Sequence, residues 1–304
     1  MKKYSLIILV ALLFSCKNEN TKTAQSKIKI VSTTTMITDM VKNIGGDKIE
    51  LQGLMGAGVD PHLYKASEGD VNKLFEADMI IYNGLHLEGK LEDVFEKMKL
   101  QNKEVIAVSD AIDTKKLISS ELFDSNFDPH IWFDIQTWKQ CTEFVAYKLA
   151  EFDTTNAAFY KKNATNYIAA LNTLEQEIDS SILSLPAENR VLVTAHDAFN
   201  YFGQAYHFEV VGLQGLSTAT EAGVKDVQEL STFIVERKIK AVFVESSVPK
   251  RTIEALQEAV KAKGHNVNIG GTLYSDALGN KGSVEGTYLG MYRHNISTIV
   301  NALK

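Results

Sequence analysis

The chain has 304 residues, a formal net charge of −6, 45% hydrophobic residues and two cysteines. An acidic chain without a basic run argues against nucleic-acid binding and favours small cations or neutral partners. The length exceeds what one hydrophobic core usually serves, so we expect two domains.

The beginning of the chain has the pattern of a bacterial lipoprotein leader. Two lysines precede an apolar run over residues 4–14, which is too short to cross a bilayer but suits a signal peptide. The run ends in Leu-Phe-Ser-Cys, which resembles a lipobox. Residues 1–16 are therefore predicted to be a lipoprotein signal peptide and Cys16 the lipidated residue; an ordinary signal peptide with an incidental cysteine is the alternative. Residues 17–26 are polar and predict a flexible tether.

Short β-rich runs alternate with helical patterns along the rest of the chain. Most of these runs are continuously apolar, as expected of parallel strands covered on both faces. Four runs in each half predict an α/β fold with two lobes, each a four-stranded mainly parallel sheet flanked by helices. The predicted strands cover 27–33, 49–54, 78–84, 103–110, 190–197, 208–214, 241–247 and 266–274.

A single long helix is predicted between the two halves, over residues 153–186. The stretch has no glycine or internal proline, its apolar residues recur at helical spacing, and Pro186 ends it. This linking helix would join an N-terminal lobe at 27–152 to a C-terminal lobe at 187–304. A long surface helix inside one domain is the alternative.

The tripeptide Asp-Pro-His occurs twice, at residues 60–62 and 128–130. Proline fixes its own φ angle and restricts the residue before it, so each histidine enters a stiff loop. Ligands of open α/β sheets gather beyond the carboxyl ends of the strands, where such loops lie. His62 and His130 are therefore candidate ligands in the first lobe.

The second lobe offers matching candidates at strand ends. His196 follows the apolar run RVLVTA, and Asp276 follows the last predicted strand, although spacing alone would not single out Asp276. Three imidazoles and a carboxylate suit a divalent transition metal, and no cysteine pair is available for a structural zinc site. Glu245 ends another strand, where it would either support a ligand from behind or form a cap or salt bridge. For His86, a structural role or a place at the rim of the site is favoured.

Several segments resemble the signature segments of the cluster A-I solute-binding proteins, which serve zinc and manganese ABC importers; the TroA-like branch is the most similar. These segments are DPHLYKASEGDV, IYNGLHLEGKLED, DPHIWFD, LVTAHDAFNYFGQAY, GLQGLSTATEAG, VFVESSVPKRTIEAL and LYSDALG. They occur in order from about residue 28 to the end of the chain. The resemblance implies two four-stranded lobes joined by one long helix, and it places the metal ligands at His62, His130, His196 and Asp276.

The chain departs from two branches of that family. ZnuA-type zinc binders carry a histidine-rich acidic loop in the first lobe, whereas this chain has only SSELFDSNFD before its second Asp-Pro-His. Strict manganese binders usually have glutamate where His196 stands. The ion, one per chain, is therefore expected to be either Zn²⁺ or Mn²⁺.

The resemblance implies a binding protein and not an enzyme. A monomer, extracytoplasmic and lipid-anchored to a bacterial membrane, would capture the ion between its lobes and deliver it to an ABC permease. A three-histidine zinc hydrolase or hydratase with Asp276 as base is one alternative, but it would need an open coordination position. An adhesion lipoprotein with bound metal is another, although no sequence feature encodes a host ligand.

Overall fold

The computed structural model describes residues 27–120, 123 and 125–304. The predicted leader, Cys16 and the predicted tether lie outside the described residues. Among the helices of the described part, none is both long and apolar enough to cross a membrane.

The first lobe contains a parallel four-stranded sheet with strand order β2-β1-β3-β4. The strands are β1 (Ile28–Ser32), β2 (Ile49–Gly53), β3 (Met79–Tyr82) and β4 (Glu104–Ala107). The helices are α1 (Thr35–Gly45), α2 (Glu68–Glu76), α3 (Glu92–Leu100) and α4 (Ile135–Phe152).

The central strands of this sheet are buried on both faces, which explains their continuous apolar runs. On one face, Ile30 and Ile81 share a core with residues of α1 and α4. On the other face, Val31 and Ile80 share a second core with residues of α2 and α3. This is the pattern expected of a parallel sheet covered by helices on both sides.

The second lobe contains two parallel two-stranded sheets that lie side by side, so that its strands follow the order β6-β5-β7-β8. Its strands are β5 (Val191–His196), β6 (Glu209–Gln214), β7 (Ala241–Glu245) and β8 (Asn268–Leu273). Its helices are α6 (Asn200–Tyr206), α7 (Val224–Arg237), α8 (Arg251–Ala262) and α9 (Tyr288–Leu303). Hydrogen-bonded ladders join β5 to β6 and β7 to β8, whereas β5 and β7 lie side by side without a ladder between them. All eight strands of the described part of the chain coincide with predicted runs.

The long helix α5 (Ala157–Leu183) lies between the lobes in the sequence. A short 3₁₀ turn, Thr154–Asn156, precedes it, and the Asp153 carboxylate accepts from the backbone N–H of Asn156. Its buried stripe belongs to one core with α1 and α4 of the first lobe and α9 of the second. The predicted long helix is confirmed, and it packs against both lobes; the exact lobe boundaries stay a prediction.

Candidate metal centre

Four of the predicted residues come together between the lobes. His62 and His130 lie in the loops after β2 and β4, His196 is the last residue of β5, and Asp276 follows β8. All four side chains are buried, with residue exposures of 5% for His62, 1% for Asp276 and 0% for the other two. Each lobe therefore contributes two potential ligands to one enclosed point.

The distances between these side chains match those around a small cation. The Nε2 atoms of His62 and His130 lie 3.3 Å apart. The carboxylate of Asp276 lies 3.3 Å from His196 Nε2 through Oδ2 and 3.6 Å from His130 Nε2 through Oδ1. One potential ligand atom from each residue lies within 4.8 Å of the other three. Tetrahedral zinc with bonds of about 2.0–2.2 Å would separate its ligand atoms by about 3.4 Å, so the cluster is near that size.

Two atoms of this cluster are buried and have no hydrogen-bond partner among the described residues. They are His196 Nε2 and Asp276 Oδ1, and both belong to side chains that face the centre. A buried polar atom without a partner is costly, so such atoms usually bind something. A divalent cation would satisfy both of them at once.

The pKa shifts follow from burial and from the charges in the cluster. Burial lowers the pKa of His62 to about 3, because Asp276 only partly opposes it and the other imidazoles act in the same direction. Burial also acts to lower the pKa of His196, but Asp276 and Glu245 outweigh it and raise that pKa well above its usual value. Burial opposes ionisation of Asp276, yet His196 and the other imidazoles hold its pKa well below the usual range. The carboxylates of Asp276 and Glu245 therefore favour positive charge at this centre.

Two carboxylates fix the orientation of the imidazole rings. Asp128 Oδ1 accepts from His130, both from its backbone N–H at 2.9 Å and from ring Nδ1 at 2.7 Å. Glu245 accepts from the His196 backbone N–H at 2.8 Å and lies 2.5 Å from its ring Nδ1. Because each Nδ1 donates its proton outward, each Nε2 can present a lone pair to the centre. Glu245 thus lies on the side of the His196 ring that faces away from the centre.

The segment that carries Asp276 is held by residues from both lobes. The indole Nε1 of Trp132, in the first lobe, donates to the backbone carbonyl of Ser275 at 3.0 Å. The Ser247 hydroxyl lies 3.4 Å from Asp276 Oδ2 and 2.9 Å from the Ser275 hydroxyl. The position of the carboxylate therefore depends on how the lobes meet.

Sequence reasoning missed the role of the aspartates in the Asp-Pro-His tripeptides, because it assigned the stiffness of these loops to proline alone. Asp60 and Asp128 each cap the backbone N–H of their own histidine. The signal was present, since aspartate recurs in both tripeptides. His86 stays outside the four-residue cluster, and its Nδ1 lies 2.7 Å from Glu92 Oε1.

Comparison with known proteins agrees with the fold and the resemblance. The model of the family "ZnuA: Zinc-uptake complex component A periplasmic" matches residues 30–302. The manganese-binding lipoprotein MntA of Bacillus subtilis is 50% identical over 283 residues, which cover 93% of this chain and 92% of that protein. The zinc-binding protein TroA of Treponema pallidum is 50% identical over 280 residues, covering 92% and 90%.

A solved structure extends the similarity to three dimensions. The periplasmic zinc binding protein TroA from Treponema pallidum matches with a TM-score of 0.89 at 50% identity, over 91% of this chain and 99% of that chain. The predicted resemblance is confirmed, and it covers both lobes and the long helix. The chain therefore belongs to the ZnuA family of zinc-uptake complex components.

Proposed function

We propose that this protein is an extracytoplasmic solute-binding protein that captures one Zn²⁺ or Mn²⁺ between its lobes. It would deliver the ion to the membrane permease of an ABC importer. The observation that carries this proposal is the buried cluster of three histidines and one aspartate, two from each lobe. The names of the relatives agree, since they include manganese-binding and zinc-binding proteins and substrate-binding lipoproteins of metal ABC transporters.

The geometry favours capture and transfer over hydrolysis. A catalytic zinc site keeps one coordination position for water or substrate, whereas four protein ligands complete a tetrahedral site. Both oxygens of Asp276 lie within 3.6 Å of a histidine Nε2, which suits a ligand and not a distant general base. Because two ligands come from each lobe, separation of the lobes would dismantle the site without any chemical step.

The metal-binding residues can be tested by titration of the purified protein. We expect one ion per chain, measured by elemental analysis after loading and removal of excess metal. His62→Ala and His130→Ala should each weaken Zn²⁺ binding by about a hundredfold or more in competition with a chelator, or about 2.7 kcal/mol. The control is His207→Asn, because His207 is exposed and has the positive φ angle, 60°, that asparagine tolerates. Equal affinities for His130→Ala and His207→Asn would contradict the assignment.

We also propose that Cys16 is lipidated and anchors the protein to a bacterial membrane. The lipobox-like sequence supports this, as does the word lipoprotein in the name of MntA. Cys16→Ser should abolish incorporation of labelled fatty acid and release the protein from the membrane fraction. Labelling that persists in the variant would show that another residue carries the lipid.

A further inference from the structure

The two Asp-Pro-His tripeptides make the same local contact. Asp60 Oδ1 accepts from the backbone N–H of His62 at 2.9 Å, and Asp128 Oδ1 accepts from the backbone N–H of His130 at 2.9 Å. Each aspartate thus forms an Asx turn, in which its side chain accepts from the backbone N–H of the histidine two residues later. A shift of either carboxylate would therefore move the attached histidine.

The second oxygen of each aspartate reaches across to the other lobe. Asp60 Oδ2 accepts from the hydroxyl of Thr218 at 2.5 Å, and Asp128 Oδ2 accepts from the side-chain amide of Asn200 at 3.1 Å. These bonds join residues 158 and 72 positions apart in the sequence. Both tripeptides therefore link a histidine of the first lobe to a polar side chain of the second.

The two links differ in how firmly they are held. Asp128 is completely buried, and the Tyr201 hydroxyl of the second lobe also donates to its backbone oxygen at 3.2 Å. Asp60 is only partly buried, and its partner Thr218 lies in the loop between β6 and α7. The Asp60 link is therefore the one that can open at smaller cost, and the histidine attached to it, His62, is the most exposed of the four.

We propose that the Thr218–Asp60 hydrogen bond is an interlobe latch that retains the bound ion by holding His62 in place. This inference rests on the proposed metal-binding function. Thr218 is a positioning residue, because it acts on the ion only through Asp60 and His62. Opening of the latch frees the His62 loop from the second lobe, so His62 is the first ligand to leave.

The latch can be tested by the rate of metal dissociation. Purified protein loaded with Zn²⁺ is mixed with excess chromogenic chelator, and the appearance of the chelate is followed by stopped flow. Thr218→Val keeps the shape of the side chain but removes the donor, so Zn²⁺ should dissociate about tenfold faster, as expected for loss of one hydrogen bond to a charged group. Thr218→Ser keeps a hydroxyl and should stay within about twofold of the wild-type rate. Thr220→Val, at an exposed threonine of the same loop, is the matched control and should leave the rate unchanged.

A second pair of measurements separates a latch from a general loss of structure. Circular dichroism of metal-free Thr218→Val should match that of the wild type, whereas a general loss of structure would change the spectrum. In an Asp60→Ala background, Thr218→Val should have no further effect on dissociation, because its acceptor is already gone. If Thr218→Val accelerates release equally with and without Asp60, the hydroxyl acts by another route and the latch is refuted.

The outcomes also distinguish this inference from the function on which it rests. If the wild type and Thr218→Val both bind one Zn²⁺ and release it at the same rate, the latch is wrong and the metal-binding function stands. If the wild type binds no Zn²⁺ or Mn²⁺, the proposed function fails and the latch fails with it. Failure of Thr218→Ser to restore slow release would also overturn the latch.

Discussion

Replacement of Glu245 by glutamine should weaken metal binding although Glu245 does not face the ion. Its two oxygens accept from the backbone N–H and the ring Nδ1 of His196, at 2.8 and 2.5 Å. Glutamine keeps one acceptor oxygen and puts an N–H₂ donor in place of the other. That donor would point at another donor if it faced the backbone N–H. If it faced the ring, Nδ1 would have to accept a hydrogen bond, and the ring proton would move to Nε2, the atom that faces the ion.

The size of the effect follows from these contacts. When Nε2 binds the ion, Nδ1 keeps its proton, so either orientation of the amide leaves a buried donor without an acceptor, which costs about 1–3 kcal/mol. It also removes a negative charge from beside the ligand, and loss of such a supporting partner typically weakens metal affinity by about 10–100-fold. We therefore expect Zn²⁺ affinity to fall by about 10–100-fold, or about 1.4–2.7 kcal/mol.

The assay is a competition titration of Glu245→Gln and wild-type protein against one chelator in one buffer. Glu254→Gln is the matched control, because Glu254 is exposed on α8 and its Oε1 pairs with Lys250. Circular dichroism of both metal-free variants would check that the fold is retained. If Glu245→Gln binds Zn²⁺ as tightly as Glu254→Gln, the orientation of His196 by Glu245 does not contribute to affinity and the reasoning is refuted.

Three further predictions concern protons and the choice of metal. The pKa of His196 is raised and that of His62 is lowered to about 3, so Zn²⁺ binding near neutral pH should displace the His196 proton but none from His62. Zn²⁺ affinity should therefore fall as pH falls below the His196 pKa. Calorimetry in buffers of different ionisation enthalpy should show that the wild type releases a proton when it binds Zn²⁺ and that His196→Ala does not. His196→Glu would place a carboxylate against Glu245, so we expect the double variant His196→Glu, Glu245→Gln to shift the Zn²⁺ to Mn²⁺ affinity ratio toward Mn²⁺ by about tenfold; titrations that show equal losses for both ions would contradict this. Burial raises the pKa of Glu88 to about 7, so its contribution to the stability of the fold is fully present below its ordinary pKa and is lost as pH rises through 7. Urea unfolding of metal-free protein at pH 5 and pH 7 should show a loss of about 2 kcal/mol that Glu88→Gln does not share.

The sequence predicted the strands and the long helix because their signals are local. Apolar runs of strand length and a helical stripe without glycine can be recognised from residues that are close together in the sequence. The interrupted ladder between β5 and β7 was not predicted, because pairing between strands depends on contacts far apart in the chain. The same reason explains why the order of the strands came from the structure alone.

The residues of the candidate site also differ in whether they carry a local sequence signal. His62 and His130 carry a local signal in the repeated tripeptide, and His196 follows an apolar strand directly. Asp276 follows a strand too, but a single aspartate in a loop is too common to be selected without the resemblance. Thr218 could not be selected at all, because its contact with Asp60 spans 158 positions and two lobes.

The charges around the centre explain how one site could bind tightly and still release. The carboxylates of Asp128, Glu245 and Asp276 lie in or directly behind the cluster, in a setting that excludes water. Such a concentration of negative charge is costly to bury without a cation, so a divalent ion would stabilise the arrangement in which the lobes enclose the site. Separation of the lobes would admit water to the same carboxylates, and water would then replace the ion in stabilising them. The affinity for the ion thus depends on contact between the lobes. A partner that binds more tightly to the form with separated lobes would lower the affinity for the ion by the same free energy.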